Sequence, residues 1–191
     1  ATKCPSHVCV GVGTVMDDTV QCLEEIKQLG GKFALSPLNP LGFIDECHRV
    51  GLLAVPAGYT SNELWDMKRQ GAMMLKMFHA GLVGPKILKS ILGVSPLAAM
   101  NIMPSGGCSP ANADEWLDAG AAVIGMGSNL AGKDINHPYD SDAYTAAKAD
   151  WDATGKTTAK KLFEQIHARY GSAPAAGESW IATNGSFFSK R

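Results

Sequence analysis

The sequence predicts an α/β fold of repeated strand–helix units, and three observations carry that reading. Short apolar runs alternate with longer segments of helical period. Each run is apolar on both faces, as a parallel strand covered by helices must be. Successive runs begin about 20 to 25 residues apart, the length of one βα unit with short loops. Six such units fit a barrel lacking two strands or an open doubly wound sheet.

Taken in order, the predicted strands are residues 7–11, 32–35, 52–55, 73–78, 98–103 and 121–125. The helices between them start at expected caps: Asp17 or Asp18, Asn39, Thr60 or Ser61 with Glu63 close behind, and Ser109 followed by Pro110 at the first helical position. Gly30-Gly31, Gly51, Gly71, Gly93 and Gly120 sit where helices stop and turn back into the next strand. Residues 133–141 are polar, contain His137-Pro138 and read as a loop. Apolar residues at helical spacing (Tyr144, Ala147, Trp151, Leu162, Phe163, Ile166) then predict a helical segment over 142–170 with a break at Gly155. Residues 171–191 are rich in Gly, Ala and Ser but hold Trp180, Ile181, Phe187 and Phe188, so they read as a mobile tail or as a docked segment hiding its aromatics. The division expected is therefore 1–140 for the βα portion, 141–170 for a helical extension and 171–191 for the tail.

Composition narrows the function classes. A chain of 191 residues with 46% hydrophobic content can fill a sizeable core as one domain. A formal charge of −1 gives no electrostatic reason to expect nucleic acid or an anionic membrane surface, and a small-molecule partner fits better. No apolar run approaches the roughly 18 to 20 residues of a membrane span. The five cysteines are scattered, without C-x-x-C or zinc-finger spacing, and read as thiols in a reducing compartment, cytoplasm or organelle stroma. The chain opens on Ala1 rather than Met, and residues upstream are expected.

In such folds the ligand lies at the carboxyl ends of the strands. The first predicted strand ends in Gly11-Val12-Gly13-Thr14-Val15, where the threonine hydroxyl would face the mouth; a tight βα turn explains the same residues. The fourth run, Met73-Met74-Leu75-Lys76-Met77-Phe78, embeds one lysine in apolar residues. That lysine either snorkels to water or is a desolvated amine with a lowered pKa, able to attack a ketone. His79 follows as a candidate proton shuttle or an ordinary loop histidine. The fifth run leads into Pro104-Ser105-Gly106-Gly107-Cys108-Ser109-Pro110 and the sixth into Gly125-Met126-Gly127-Ser128-Asn129. Two glycine-bearing loops after consecutive late strands match the place where barrels bind phosphate through backbone N–H groups. Capping explains Glu63, and core filling explains the methionines at 73, 74, 77, 100 and 103.

These motifs together resemble the 2-keto-3-deoxy-6-phosphogluconate aldolase family, which includes the 4-hydroxy-2-oxoglutarate aldolases. The residues that carry the likeness run in order from about Val8 to Leu130: G-V-G-T-V at 11–15, F-A-L-S-P at 33–37, L-K-M-F-H-A at 75–80, P-S-G-G-C-S-P-A-N at 104–112 and G-S-N-L at 127–130. The resemblance implies a (β/α)8 TIM-barrel type fold, incomplete here at the N-terminus with about six βα units present, plus a C-terminal helical extension. It also implies a trimer and a lysine that forms an imine with pyruvate without metal or other cofactor. Lys76 falls on that lysine, Gly106, Gly107 and Ser128 on phosphate-binding positions, and Thr14 on a mouth threonine that contacts substrate.

Three departures stand beside the likeness. The family's acid/base glutamate and substrate-binding arginine belong to a strand that the resemblance places ahead of Ala1. Its usual F-P-A after the lysine is Phe78-His79-Ala80 here, and the glycine usual after Ser36-Pro37 is Leu38. The segment beyond residue 141 is longer than the family's ending. The expected activity is that of an aldehyde-lyase cleaving a 2-keto-3-deoxy sugar acid phosphate, or a related 4-hydroxy-2-oxo acid, to pyruvate and an aldehyde. The competing expectation is a catalytically silent aldolase-like subunit of a larger complex. A flavin- or nucleotide-binding barrel ranks last, because it leaves Lys76 without a role.

Overall fold

The computed structural model describes residues 8–131 and 141–170. Its strands are β1 (Gly11–Val12), β2 (Phe33–Leu35), β3 (Leu53–Val55), β4 (Ala57–Gly58), β5 (Leu75–Phe78) and β6 (Ile102–Ser105). The helices are α1 (Leu23–Gln28), α2 (Phe43–Val50), α3 (Ser61–Arg69), α4 (Pro85–Leu92), α5 (Ala113–Asp118), α6 (Ser128–Ala131) and α7 (Asp142–Tyr170). Every strand pairing is parallel, in the sheet orders β1-β2-β3 and β4-β5-β6. The two sheets are consecutive because β3 and β4 flank Pro56, which has no N–H to donate to a ladder. Its carbonyl still accepts from the Lys76 N–H at 2.8 Å, so the chain passes from one sheet to the other at this proline.

Parallel order places the loops after every strand at one end. The core lies between strands and helices, with Ala34, Ala54, Leu75, Met77 and Ile102 of the strands packed against Leu23, Phe43, Leu64, Leu88 and Trp116 of the helices. At about 25 cal/mol per Å² of apolar surface removed from water, such burial is the main favourable term in holding the units together.

Several elements differ from the sequence expectation. The first strand begins only at Gly11: Val8 and Val10 are exposed and His7 lies outside the described residues. The fifth begins at Ile102 rather than 98, because the N–H groups of Leu97, Ala98 and Met100 are taken by turn bonds to Val94 and Leu97 that extend the end of α4. Of 121–125, Gly125 alone forms a bridge, with Ser105, while the Ala122 N–H donates to Ile102 O at 3.0 Å. Met77, Met100 and Met103 fill the core as expected, whereas Met73 is exposed because β5 starts two residues after it.

The caps are also mixed. Asp17 accepts from the Leu41 N–H and Asn39 donates to Gln70, so neither caps a helix; α2 starts after Gly42 instead, and the first helical turn, Val20–Cys22, starts after Thr19. Thr60 and Glu63 form a reciprocal capping box on α3. Hydrogen bonds from the Thr60 N–H, the Thr60 hydroxyl and the Tyr59 N–H hold the Glu63 carboxyl below its ordinary pKa. Thr60→Ala removes the acceptor for the Glu63 N–H and is expected to cost about 1 kcal/mol, a drop of about 2–4 °C in Tm, read by thermal unfolding. An unchanged Tm would show that the box contributes nothing. Ser109 and Asn112 form a second such box, with Pro110 at the first position as read from the sequence.

The extension is one helix. α7 runs through Gly155, which is buried, rather than breaking there. It packs against α6 and the turn at Pro110–Asn112 with Leu162 buried, and Arg169 reaches α5 to pair with Asp114 and Asp118. Of the expected loop at 133–141 all but Ser141, and the whole aromatic segment 171–191, fall outside the described residues. Among the described residues no helix is long and apolar enough to cross a membrane.

Candidate active site

Lys76 and Phe78 share a face of β5 because side chains two apart on a strand point the same way. Leu75 and Met77 point oppositely into the core, while Lys76 and Phe78 are half-buried. Lys76 Nζ lies 4.2 Å from the centroid of the Phe78 ring. Burial pulls the Lys76 amine below its ordinary pKa, since an ammonium loses more hydration than a neutral amine. That is the condition a nucleophilic lysine needs. The exposed His79 stacks its ring on Phe78, centroids 3.6 Å apart and tilted 31°.

The loop after β6 closes on the same ring. Gly106 and Gly107 have φ of +81° and +91°, conformations that L side chains rarely adopt. A Cβ on Gly106 would meet the Phe78 ring at 3.1 Å, and one on Gly107 would meet Gly81 Cα at 2.8 Å. The Gly81 N–H donates to Gly106 O at 2.6 Å, fastening the loop after β5 to the loop after β6. Asn112 Nδ2 donates to Gly107 O at 3.1 Å, and Asn129 Nδ2 reaches Cys108 O at 3.0 Å. Asn129 follows Ser128, so this bond ties the second glycine loop to the first. Cys108 of the first loop is buried, and burial pushes its thiol up to about 11, so it stays protonated at neutral pH.

Thr14 stands apart, at the end of β1 with β2 and β3 between it and the β4–β5 pair. It is exposed and has φ of +58°, an outlier for a β-branched residue. Of the residues singled out in the sequence, the structure thus gathers Lys76, His79 and Gly106 around one aromatic ring, sets Gly107 against Gly81, and links the Ser128 loop to them through Asn129. Phe78, Gly81, Asn112 and Asn129 were not singled out. Only Phe78 carried a usable signal, its period-two relation to Lys76.

The family model for Aldolase: KDPG and KHG aldolase matches residues 2–146. Among curated relatives, 2-dehydro-3-deoxy-6-phosphogalactonate aldolase of Escherichia coli (strain K12) is 28% identical over 121 residues, 63% of this chain and 58% of that protein. A 2-dehydro-3-deoxy-phosphogluconate aldolase of Pseudoalteromonas atlantica (strain T6c / ATCC BAA-1087) is 31% identical over 146 residues, 76% of this chain and 66% of the relative. The chain therefore spans 58% of the length of the first of these. A solved native KDPGal structure superposes with a TM-score of 0.63 at 23% identity, covering 82% of this chain and 71% of that one. A KDPG aldolase from Legionella pneumophila, solved with pyruvate captured as a covalent carbinolamine intermediate, gives 0.62 at 24% identity, covering 78% and 66%. At these identities the structures show the fold alone, which is of the TIM-barrel-like class I aldolase type.

Proposed function

The chain belongs to the KDPG and KHG aldolase family, and on that premise we propose that it cleaves a 2-keto-3-deoxy-6-phosphogluconate-type or 4-hydroxy-2-oxo acid to pyruvate and an aldehyde through an imine on Lys76. The single observation that carries the reading is a half-buried amine of lowered pKa in a short parallel strand, beside a glycine loop built to approach closely. The Nζ lone pair attacks the C2 carbonyl carbon and the carbonyl oxygen leaves as water. The resulting C=N⁺ then takes up the electron pair of the C3–C4 bond as the aldehyde departs. In this reading the protons travel through a glutamate that the resemblance places ahead of Ala1.

Gly106, Gly107 and Ser128 supply backbone N–H groups to a substrate phosphate, and Thr14 contacts the substrate at the mouth. The bonds that lace the two glycine loops together support a shared anion site. The parallel strand order supports barrel-like curvature, with the place next to β1 taken by another part of the protein or by a partner chain. We place the chain in a homotrimer or larger assembly, and the free thiols of Cys9, Cys22, Cys47 and Cys108 favour a reducing compartment.

Borohydride reduction in the presence of pyruvate tests the reading. The expected product carries the three-carbon unit on Lys76 as a secondary amine, located by peptide mass spectrometry. Folded protein that takes up no label turns the assignment to a silent aldolase-like subunit.

A further inference from the structure

We propose that Phe78 and His79 form a stacked pair of rings that positions the Lys76 amine, Phe78 touching the amine and His79 bracing Phe78. The proposal rests on Lys76 being the imine-forming residue. It concerns a feature the chemistry above does not use: two aromatic side chains two and three residues after the lysine, the first in contact with it and the two in contact with each other.

Three contacts build the geometry. Lys76 Nζ lies 4.2 Å from the Phe78 centroid, inside the roughly 6 Å range over which a ring face attracts a cation. The His79 ring stacks on Phe78 at 3.6 Å. Gly106 lies against the ring as well, since a Cβ there would meet two Phe78 ring carbons at 3.1 and 3.2 Å. These contacts restrict the ring's orientation, and an amine on a long flexible stem gains a seat beside it. The β5–β6 register places Lys76 opposite Met103 and Phe78 opposite Ser105, so the seat is set by the sheet and not by a loop alone.

The ring also suits the reaction coordinate. The positive charge sits on nitrogen in the ammonium and again on C=N⁺ once water has left, so one electron-rich face serves both cations. His79 stands at the position where the resembled family usually has proline, which has no aromatic ring to stack. The exposure of His79 means that its stacking contact, rather than burial, accounts for its ring orientation.

The test compares wild type with Phe78→Leu, His79→Ala and His79→Phe in borohydride trapping of pyruvate, with plateau rates taken at alkaline pH. Phe78→Leu is expected to slow trapping about tenfold and His79→Ala about threefold, while His79→Phe, which keeps a ring and loses both nitrogens, returns to within about twofold of wild type. Phe78→Leu should also shift the pH midpoint of trapping downward, because the ring favours the charged amine. Mere loosening that hydrates Lys76 would shift it upward. His79 is exposed, so His79→Ala probes the brace with the core intact. Wild-type rates in both Phe78→Leu and His79→Ala overturn the platform, as does a His79→Phe rate as slow as that of His79→Ala, which would give the role to the nitrogens. A wild-type chain that takes no label overturns the role of Lys76, and the platform with it.

Discussion

Lys76→Met is expected to abolish pyruvate-dependent labelling completely and, at neutral pH, to leave a folded protein more stable than wild type. Two opposed effects act on this amine. Burial penalises the ammonium, and the Phe78 ring at 4.2 Å favours it. Burial lowers the pKa, and a single exposed-type ring contact of about 0.5–1 kcal/mol is the smaller effect. Between that lowered folded value and the unfolded value of about 10.4, the unfolded chain binds more protons than the folded one, and stability rises with pH. The penalty is therefore present in full below the folded pKa and gone above about 10.4. Methionine is of similar length and carries no charge, so it escapes the penalty while keeping the packing of the stem.

Denaturant unfolding at neutral pH and again near pH 10 reads this out: the advantage of Lys76→Met should shrink as the pH rises. A variant less stable than wild type at neutral pH would mean that the amine is held by a favourable partner and is not a strained functional group. Label that persists in Lys76→Met would move the imine to another lysine. A gain in stability joined to a loss of labelling is the signature of a residue kept for chemistry at the expense of the fold.

Local signals in the sequence were legible, and tertiary approaches were not. The Thr60–Glu63 box and the Ser109-Pro110 start depend on residues three apart or fewer, and both stand where the spacing put them. Lys76 was visible because one charge interrupts an apolar run. The Ala98 region misled because an apolar stretch reads alike whether it pairs as a strand or turns against the end of α4, and the turn bonds to Val94 and Leu97 decide it. Asp17 and Asn39 looked like caps but serve contacts with Leu41 and Gln70, residues 24 and 31 positions away. The same holds for the site. Gly106 and Gly107 were identifiable as a loop, yet what makes them necessary is the nearness of Phe78 and Gly81, set by how β5 and β6 pair.

That nearness makes Gly107→Ala the most damaging small change in the anion loop. Its Cβ would lie 2.8 Å from the Cα of Gly81, a backbone atom with no side chain to swing aside. At φ +91° an alanine is also strained on its own account. Relief requires the loop to shift away from Gly81. The 2.6 Å bond from the Gly81 N–H to Gly106 O must then lengthen, and the Asn112 bond to Gly107 O is pulled with it. The expected cost is about 1–3 kcal/mol of stability from backbone strain. The sharper readout is anion binding. If Gly106, Gly107 and Ser128 converge on one phosphate, inorganic phosphate at 100 times its Kd should stabilise wild type by about 2.7 kcal/mol. Gly107→Ala should lose that increment, because the N–H groups no longer aim at one point. Thermal unfolding with and without phosphate, at constant ionic strength, separates the two effects: strain lowers Tm in both buffers, whereas the lost site removes only the difference between them. A wild-type Tm that ignores phosphate sinks the anion site, and a Gly107→Ala variant that keeps the full phosphate increment places the anion elsewhere.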